Sequence, residues 1–255
     1  MKAINLLVIG KSSLLAKCLK NNSKIQSIKF ISYKEIKKIN LNNYTHIINF
    51  SIDPKNFFKE YHLINKIDEK ICNLIQNKNC IYIFPSSRLV YLKSKKNIYG
   101  RNKKKTENKI IRLKKKYLIL RISTLLTFDT SQRNLFICKA LRSLKRKGLI
   151  ELDISKNTYK DFITSDVFVK ILDNLIVKNI TGIYNLSSNI PIKINDIFKN
   201  IIKGKGGGEI VYGKIIKNNH SFQLNNNKLL KKIRFKIKKK DILNYCVKLG
   251  KQLNA

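Results

Sequence analysis

Apolar residues arrive along this chain in short continuous runs, separated by stretches in which they recur every three or four positions. The runs INLLVI (4–9), IKFIS (28–32), THIINFSI (45–52), CIYIF (80–84), YLILRI (117–122) and GIYNLSS (182–188) suit strands. Continuous apolar character points to burial on both faces, because a strand covered on one face would alternate. Helical spacing fills the gaps: LLAKCLKN (14–21), residues 56–77, residues 98–115 and residues 133–147. In the second of these the apolar positions are Phe57, Phe58, Tyr61, Ile64, Ile67, Ile71, Leu74 and Ile75. A helical turn is expected around Tyr33 to Ile39, and Gly148 is a natural stop for the helix before it. Strands alternating with helices predict a parallel α/β sheet.

Beyond Gly148 the elements shorten. Leu149 to Leu152 reads as a strand, and KDFITSDVFVKILDNLI (160–176) as a loop followed by a helix opening near Ser165 or Asp166. Asp161 and Asp166 have two readings, as helix-capping groups or as pocket-wall residues. Ile194 to Lys203 is a helix, and GKGGGE (204–209) reads as a flexible connection. EIVYG and SFQLN are short strands, and Asn225 to Lys232 and Lys240 to Leu253 are short helices. The pattern divides the chain into 1–182 and a smaller α+β part, 183–255. No repeat of fixed period is present.

Composition changes little in that picture. The 255 residues are 43% hydrophobic, an ordinary globular share. No run reaches the roughly 18 apolar residues of a spanning helix, and the start MKAINLLVIGKSS is too short for a secretory signal. Cys18, Cys72, Cys80, Cys138 and Cys246 have no metal-type spacing and read as reduced core thiols of a cytoplasmic protein. Three dispersed histidines suggest no metal site.

Charge does change it. With 54 Lys and Arg against 15 Asp and Glu, the net charge is +39. Two readings stand side by side. Such a surface binds polyanions by counterion release; equally, abundant Lys and Asn with scarce Ala, Gly and Trp is what an AT-rich coding sequence produces. The first reading admits a non-catalytic protein binding RNA or another polyanion, though no nucleic-acid recognition motif appears.

Two stretches carry candidate chemistry. The first strand ends at Gly10, and Lys11, Ser12 and Ser13 turn into the helix that opens at Leu14. Strand, glycine turn and helix frame a dinucleotide-binding unit, with the helix N-terminus facing a pyrophosphate. A P-loop is excluded, since the glycine it needs five residues before Gly10 is Asn5. The second stretch is CIYIFPSSRLVYLKSKKNIYGRNKKKTE (80–107). A buried strand leads into a turn with Ser86 and Ser87, and Tyr99 and Lys103 follow four apart on one helix face. A phenol beside an ammonium, facing a serine hydroxyl, is equipped to move a proton on or off an alcohol or ketone.

The order of these segments resembles the extended short-chain dehydrogenase/reductase family, in its NAD-dependent epimerase/dehydratase or dTDP-4-dehydrorhamnose reductase-like branch. SSRLVY (86–91) is similar to that family's Ser-Ser-x-x-Val-Tyr, and YGRNKKKTE (99–107) to its Tyr-Gly-x-Ser-Lys-x-x-x-Glu. LILRIS (118–123), KDFITSDV (160–167) and GIYNLSS (182–188) match further segments in the same order. The resemblance implies a Rossmann-like doubly wound parallel sheet that binds NAD(P) over 1–182. It implies a small C-terminal substrate-binding part over 183–255. It also implies an enzyme acting on a hydroxyl or keto group of a nucleotide-activated sugar, in surface-polysaccharide or sugar-nucleotide biosynthesis. In that scheme Tyr99 is the proton donor or acceptor, Lys103 lowers its pKa, and Ser87 holds the substrate oxygen. Gly10, Ser12, Ser13, Leu14, Asn49, Phe50 and Ser51 line NAD or NADP together with Tyr99 and Lys103. A homodimer through helices 56–77 and 98–115 is implied as well. Arg121 has two readings, pairing with an internal carboxylate or orienting the catalytic loop.

The chain departs from the family pattern at the glycine turn, where Ser13 and Ala16 replace glycines. No acid ends the second strand; Ser32, Tyr33 and Lys34 stand there, which leans the cofactor toward NADP.

Overall fold

The computed structural model describes residues 3–52, 66–113, 115–129, 135–213 and 221–254. The chain folds as two compact units, one of residues 1–122 and 169–186, the other of residues 123–168 and 187–255. It thus leaves the first unit after Ile122, returns at Val169 and leaves again after Leu186. The boundary drawn from sequence, 182–183, falls at the start of the last sheet strand.

The first unit is a six-stranded sheet. Its strands are β1 (Leu6–Ile9), β2 (Ile28–Ile31), β3 (His46–Asn49), β4 (Ile81–Ser87), β5 (Tyr117–Ile122) and β9 (Gly182–Leu186). The order is β2-β1-β3-β4-β5-β9, and every pairing is parallel. This is the Rossmann-like doubly wound arrangement read from the apolar runs. β1 and β3 are buried along their whole length, as expected of a sheet covered on both faces. Helices α1 (Leu14–Asn22), α2 (Lys66–Ile75) and α3 (Ile98–Arg112) pack in this unit. The core beside α2 joins Ile71, Cys72 and Ile75 to Ile47, Tyr82 and Phe84 of the sheet. Residues 56–65 of the expected helix 56–77 lie outside the described residues.

β4 corrects one expectation. Sequence placed a turn at Ser86 and Ser87, yet the strand runs on through Pro85 to Ser87. Pro85, Ser86 and Ser87 sit in register with Leu120, Arg121 and Ile122 of β5. The ladder tolerates Pro85 although proline brings no N–H.

The second unit carries β6 (Thr124–Leu126), β7 (Leu149–Leu152), β8 (Tyr159–Thr164), β10 (Pro191–Lys193) and β11 (Glu209–Tyr212). Its helices are α4 (Phe136–Lys147), α6 (Ile194–Lys205), α7 (Asn227–Ile233) and α8 (Lys239–Gln252), while α5 (Ser165–Val177) begins here and runs into the first unit. Three expectations change. KDFIT is strand β8, paired antiparallel to β10 and parallel to β6. SFQLN forms no strand, although Phe222 N donates to Tyr159 O at 3.1 Å. The glycine-rich patch starts inside α6, and Gly204 is a packing residue. A Cβ there would overlap the Val247 carbonyl oxygen of α8, just as one on Gly250 would overlap the Ile201 oxygen of α6. The two helices meet backbone to backbone.

His46 gives the fold a pH signature. It is 1% exposed on β3; its Nδ1 meets Thr45 Oγ1 at 2.9 Å and its Nε2 has no partner among the described residues. Burial pushes its pKa down from 6.5 to about 4. The folded protein therefore holds His46 neutral while the unfolded chain takes up a proton below pH 6.5. Stability present above that pH is lost as pH falls toward 4, by up to about 3 kcal/mol. Urea midpoints measured across this range should fall steeply for the native protein and less for His46→Val.

Candidate active site

In a doubly wound sheet, ligands bind beyond the carboxyl ends of the strands where the order reverses. Here β2 lies on one side of β1 and β3 on the other, so that place is formed by the residues after β1 and β3. They are Gly10 and Phe50-Ser51. Gly10 has φ +95°, and a Cβ on it would stand 2.5 Å from Ser51 N and 2.8 Å from the Phe50 carbonyl carbon. Only glycine allows both the left-handed backbone and this approach. Gly10 N and Lys11 N both donate to Ile31 O, at 2.8 and 3.0 Å, which ties the turn to the end of β2.

Ser13 is accommodated without strain. Its φ of −70° and ψ of 154° are ordinary extended values, and its Oγ caps α1 by accepting from Ala16 N at 3.2 Å. Ala16 is fully buried. Neither residue therefore needs to be glycine in this backbone. Ser12 is exposed at the turn, Leu14 is buried, and the first turn of α1 carries no acid, which leaves that helix end open to an anionic group. These residues fit a dinucleotide pyrophosphate.

At the end of β2, Ser32 caps a 3₁₀ turn over Tyr33–Lys38. Glu35 closes the cap by accepting from Ser32 N at 2.6 Å, and Lys11 Nζ meets the same carboxylate at 3.2 Å. A carboxylate thus does stand near the glycine turn, four residues beyond the end of β2. The capping-box spacing Ser-x-x-Glu was the signal for it.

Asn49 is 2% exposed, and both ends of its amide are engaged inside the protein. Its oxygen accepts from Ser51 N at 3.0 Å and from Ser51 Oγ, and its nitrogen donates to Asp68 Oδ1 at 2.5 Å. Phe50 is 6% exposed. Asn49 shapes the loop, and Ser51 is the member of this trio that reaches the cleft.

That cleft is lined by Ser51, Ile52, Ile67, Asp68, Tyr99, Asn102 and Lys103. Tyr99 and Lys103 are together, with the ammonium 5.8 Å from the phenol ring centroid. Lys103 is held from below: its Nζ donates to Pro85 O at 3.0 Å and sits 4.5 Å from the Phe84 ring centroid. Ser87 does not line the cleft. It ends β4 two residues beyond Pro85, and its Oγ accepts from Leu89 N at 3.2 Å.

Asn97 joins Ser87's segment to Tyr99's. It caps α3 by accepting from Gly100 N at 3.1 Å, and its Nδ2 donates to Leu89 O at 2.6 Å and Leu92 O at 2.9 Å. A Cβ on Gly100 would overlap the Leu89 oxygen, so the residue after Tyr99 must be glycine for the turn to dock. Sequence reading passed over Asn97; an asparagine two residues before Tyr-Gly was the available sign of a helix cap.

Below this lies a buried ion pair. Arg121 Nη2 and Nε meet Glu107 at 2.7 and 3.0 Å, Ser86 Oγ donates to the same carboxylate at 2.6 Å, and Lys104 reaches it at 3.2 Å. Arg121 Nη1 donates to the Tyr91 hydroxyl at 2.8 Å, which donates on to Asn185 Oδ1. Of its two readings, Arg121 has the first, an internal carboxylate partner. Burial acts to raise the pKa of Glu107, but Arg121 and Ser86 outweigh it and hold the carboxyl below its usual 4.5.

In the second unit Asp161 is fully buried and accepts from Ser188 N and Oγ, both at 2.8 Å, and from Leu224 N at 3.4 Å. It holds two loops together.

The fold is the Rossmann-like α/β fold of nucleotide-sugar epimerases and dehydratases. No protein-family model and no curated protein matches the sequence, but solved structures match it over nearly their whole length. One is the UDP-N-acetylglucosamine 4-epimerase from Methanobrevibacter ruminantium M1 in complex with UDP-N-acetylmuramic acid. Its TM-score is 0.81 at 16% identity, covering 100% of this chain and 99% of that one. RMD from Pseudomonas aeruginosa complexed with NADPH has a TM-score of 0.76 at 14% identity, covering 98% and 99%. The dTDP-glucose 4,6-dehydratase of Bacillus anthracis in complex with NAD has a TM-score of 0.75 at 14% identity, covering 98% and 97%. No helix among the described residues is long and apolar enough to cross a membrane.

Proposed function

We propose that this chain is an NAD(P)-dependent enzyme of the extended short-chain dehydrogenase/reductase type, acting on a hydroxyl or keto group of a nucleotide-activated sugar. The observation that carries the reading is the cleft in which Tyr99 and Lys103 meet Ser51, the residue against which Gly10 packs. The full-length likeness to proteins solved with NAD, NADPH or a UDP-linked sugar supports it.

In this reading Gly10, Ser12, Ser13 and Leu14 hold the pyrophosphate, while Phe50 and Ser51 flank the dinucleotide. When bound, the nicotinamide supplies or accepts the hydride, which no side chain can carry. Tyr99 gives a proton to the substrate oxygen or takes one from it. The Lys103 ammonium stands 5.8 Å from the centroid of that phenol ring. Ser87, at the end of β4 and outside that cleft's lining, is assigned the substrate oxygen; its Oγ accepts from Leu89 N, so its own proton can be donated. Ile52 and Ile67 give the cleft apolar walls that limit water. The C-terminal part, 183–255, recognises the sugar. Lys34, after β2, leans the cofactor toward NADP, whose extra phosphate it can meet.

Cofactor binding tests the reading directly. The chain has no tryptophan, so reduced-nucleotide fluorescence can be followed without energy transfer from that residue. NADH or NADPH should gain fluorescence on mixing. At a hundredfold excess over Kd, the thermal midpoint should rise by about 5 °C or more. Silence with both nucleotides in both measurements would sink the proposal.

A further inference from the structure

Asp68 is a carboxylate in a place meant for apolar side chains. It shares a face of α2 with Ile71, Cys72 and Ile75, all buried, and is itself 9% exposed. Buried acids are rare unless something repays their lost hydration. The surroundings are specific. Asn49 Nδ2 donates to Asp68 Oδ1 at 2.5 Å, and Asp68 lines the cleft together with Tyr99 and Lys103. Among the described residues, the ionisable groups facing it are Lys103 from α3, Tyr82 from β4, and Glu69 and Cys72 from its own helix. Tyr82 is 1% exposed and Cys72 fully buried. Glu69 is matched by Lys109 at 3.4 Å. Among the described residues the ammonium of Lys103 is thus the positive group that faces Asp68, and it is the one placed beside Tyr99.

We propose that Asp68 is a positioning residue for the proton step assigned to Tyr99, acting through the charge of Lys103. The inference rests on the catalytic reading of Tyr99 and Lys103 and goes beyond it. Ionised, Asp68 cancels part of the ammonium's field at the phenol. Protonated, it leaves that field whole and makes Tyr99 the stronger acid. Desolvation raises the pKa of Asp68, while Lys103 and the hydrogen bonds of Asn49 and Thr106 act against that rise. Asn49 carries the coupling further, because its amide oxygen fixes Ser51. Cofactor loop, acid and ammonium become one connected group.

The test needs neither cofactor nor substrate, so its failure is distinguishable from failure of the enzyme reading. Phenolate formation at Tyr99 is isolated by subtracting the ultraviolet titration of Tyr99→Phe from that of the native protein. The same subtraction is then made in an Asp68→Asn background. Asparagine still accepts from Asn49 but carries no charge. The Tyr99 midpoint should move to lower pH by about one unit, a tenfold change in acidity. An unchanged midpoint alongside a lowered melting temperature would assign Asp68 a structural role only and overturn the proposal. Should Asp68→Asn fail to fold, the infrared band of the protonated carboxyl is followed in the native protein and in Lys103→Met. The Asp68 midpoint should rise when the ammonium is removed, and no change would equally overturn the coupling.

Discussion

Replacing Tyr99 with phenylalanine should lower turnover of a nucleotide-sugar substrate by about 10²- to 10⁴-fold, the usual worth of a positioned proton donor. Affinity for the nicotinamide nucleotide should hardly change. The substitution removes one oxygen and keeps the ring. Lys103 takes its place from the Pro85 oxygen and the Phe84 ring, so the ammonium should stay put. Lys103→Met should behave differently, weakening nucleotide binding and turnover together, because Lys103 is assigned both roles. The measurement pairs steady-state rates over a panel of nucleotide sugars with a nucleotide titration for each variant. Undiminished turnover in Tyr99→Phe would remove the phenol from its assigned role.

The sheet and the Tyr99-Lys103 pair were both legible in the sequence, because each rests on local spacing. Six apolar runs announced six parallel strands, and a four-residue interval announced a shared helix face. What escaped was set by partners far along the chain. Asp68 carried no signal of its own, since its neighbours in sequence do not reveal that it meets Asn49 and shares a cleft with Lys103. KDFIT read as a loop because its partners, β6 and β10, are three residues each and too short to show a period. GKGGGE read as flexible, whereas the demand that Gly204 lack a side chain comes from Val247 on another helix. The division into units escaped for the same reason: residues 123–168 lie between sheet strands in sequence but cluster with the C-terminal residues in space. Conversely, Ser13 reads as a graver departure in the sequence than it is in the backbone. Its φ is negative, and the turn needs glycine only at Gly10.

The largest loss of stability from a single substitution near the site is expected at Glu107. Its side chain is wholly buried and answers Arg121 with two hydrogen bonds and Ser86 with a third. Glu107→Ala would strand a guanidinium that is only 14% exposed, and breaking a buried pair from one side costs about 3–5 kcal/mol. Replacing both partners together, Glu107→Leu with Arg121→Met, should cost clearly less than the sum of the two single changes, because no unpaired charge remains. Chemical denaturation of the four proteins makes that comparison. The pH dependence has a definite sign. The folded pKa of Glu107 lies below its usual 4.5, so the stabilisation is complete above that pH and disappears as pH falls through the folded value. The consequences should reach catalysis, because Tyr99, Lys103 and Glu107 lie four residues apart along α3. Lys103 fastens that helix to Pro85, Glu107 fastens it to Ser86, and the next residue of β4 is Ser87. Loosening the lower contact should let the strand end drift from the helix. The native-like fraction of Glu107→Ala should then show reduced turnover even under conditions where it is fully folded, and unimpaired turnover there would confine Glu107 to stability alone.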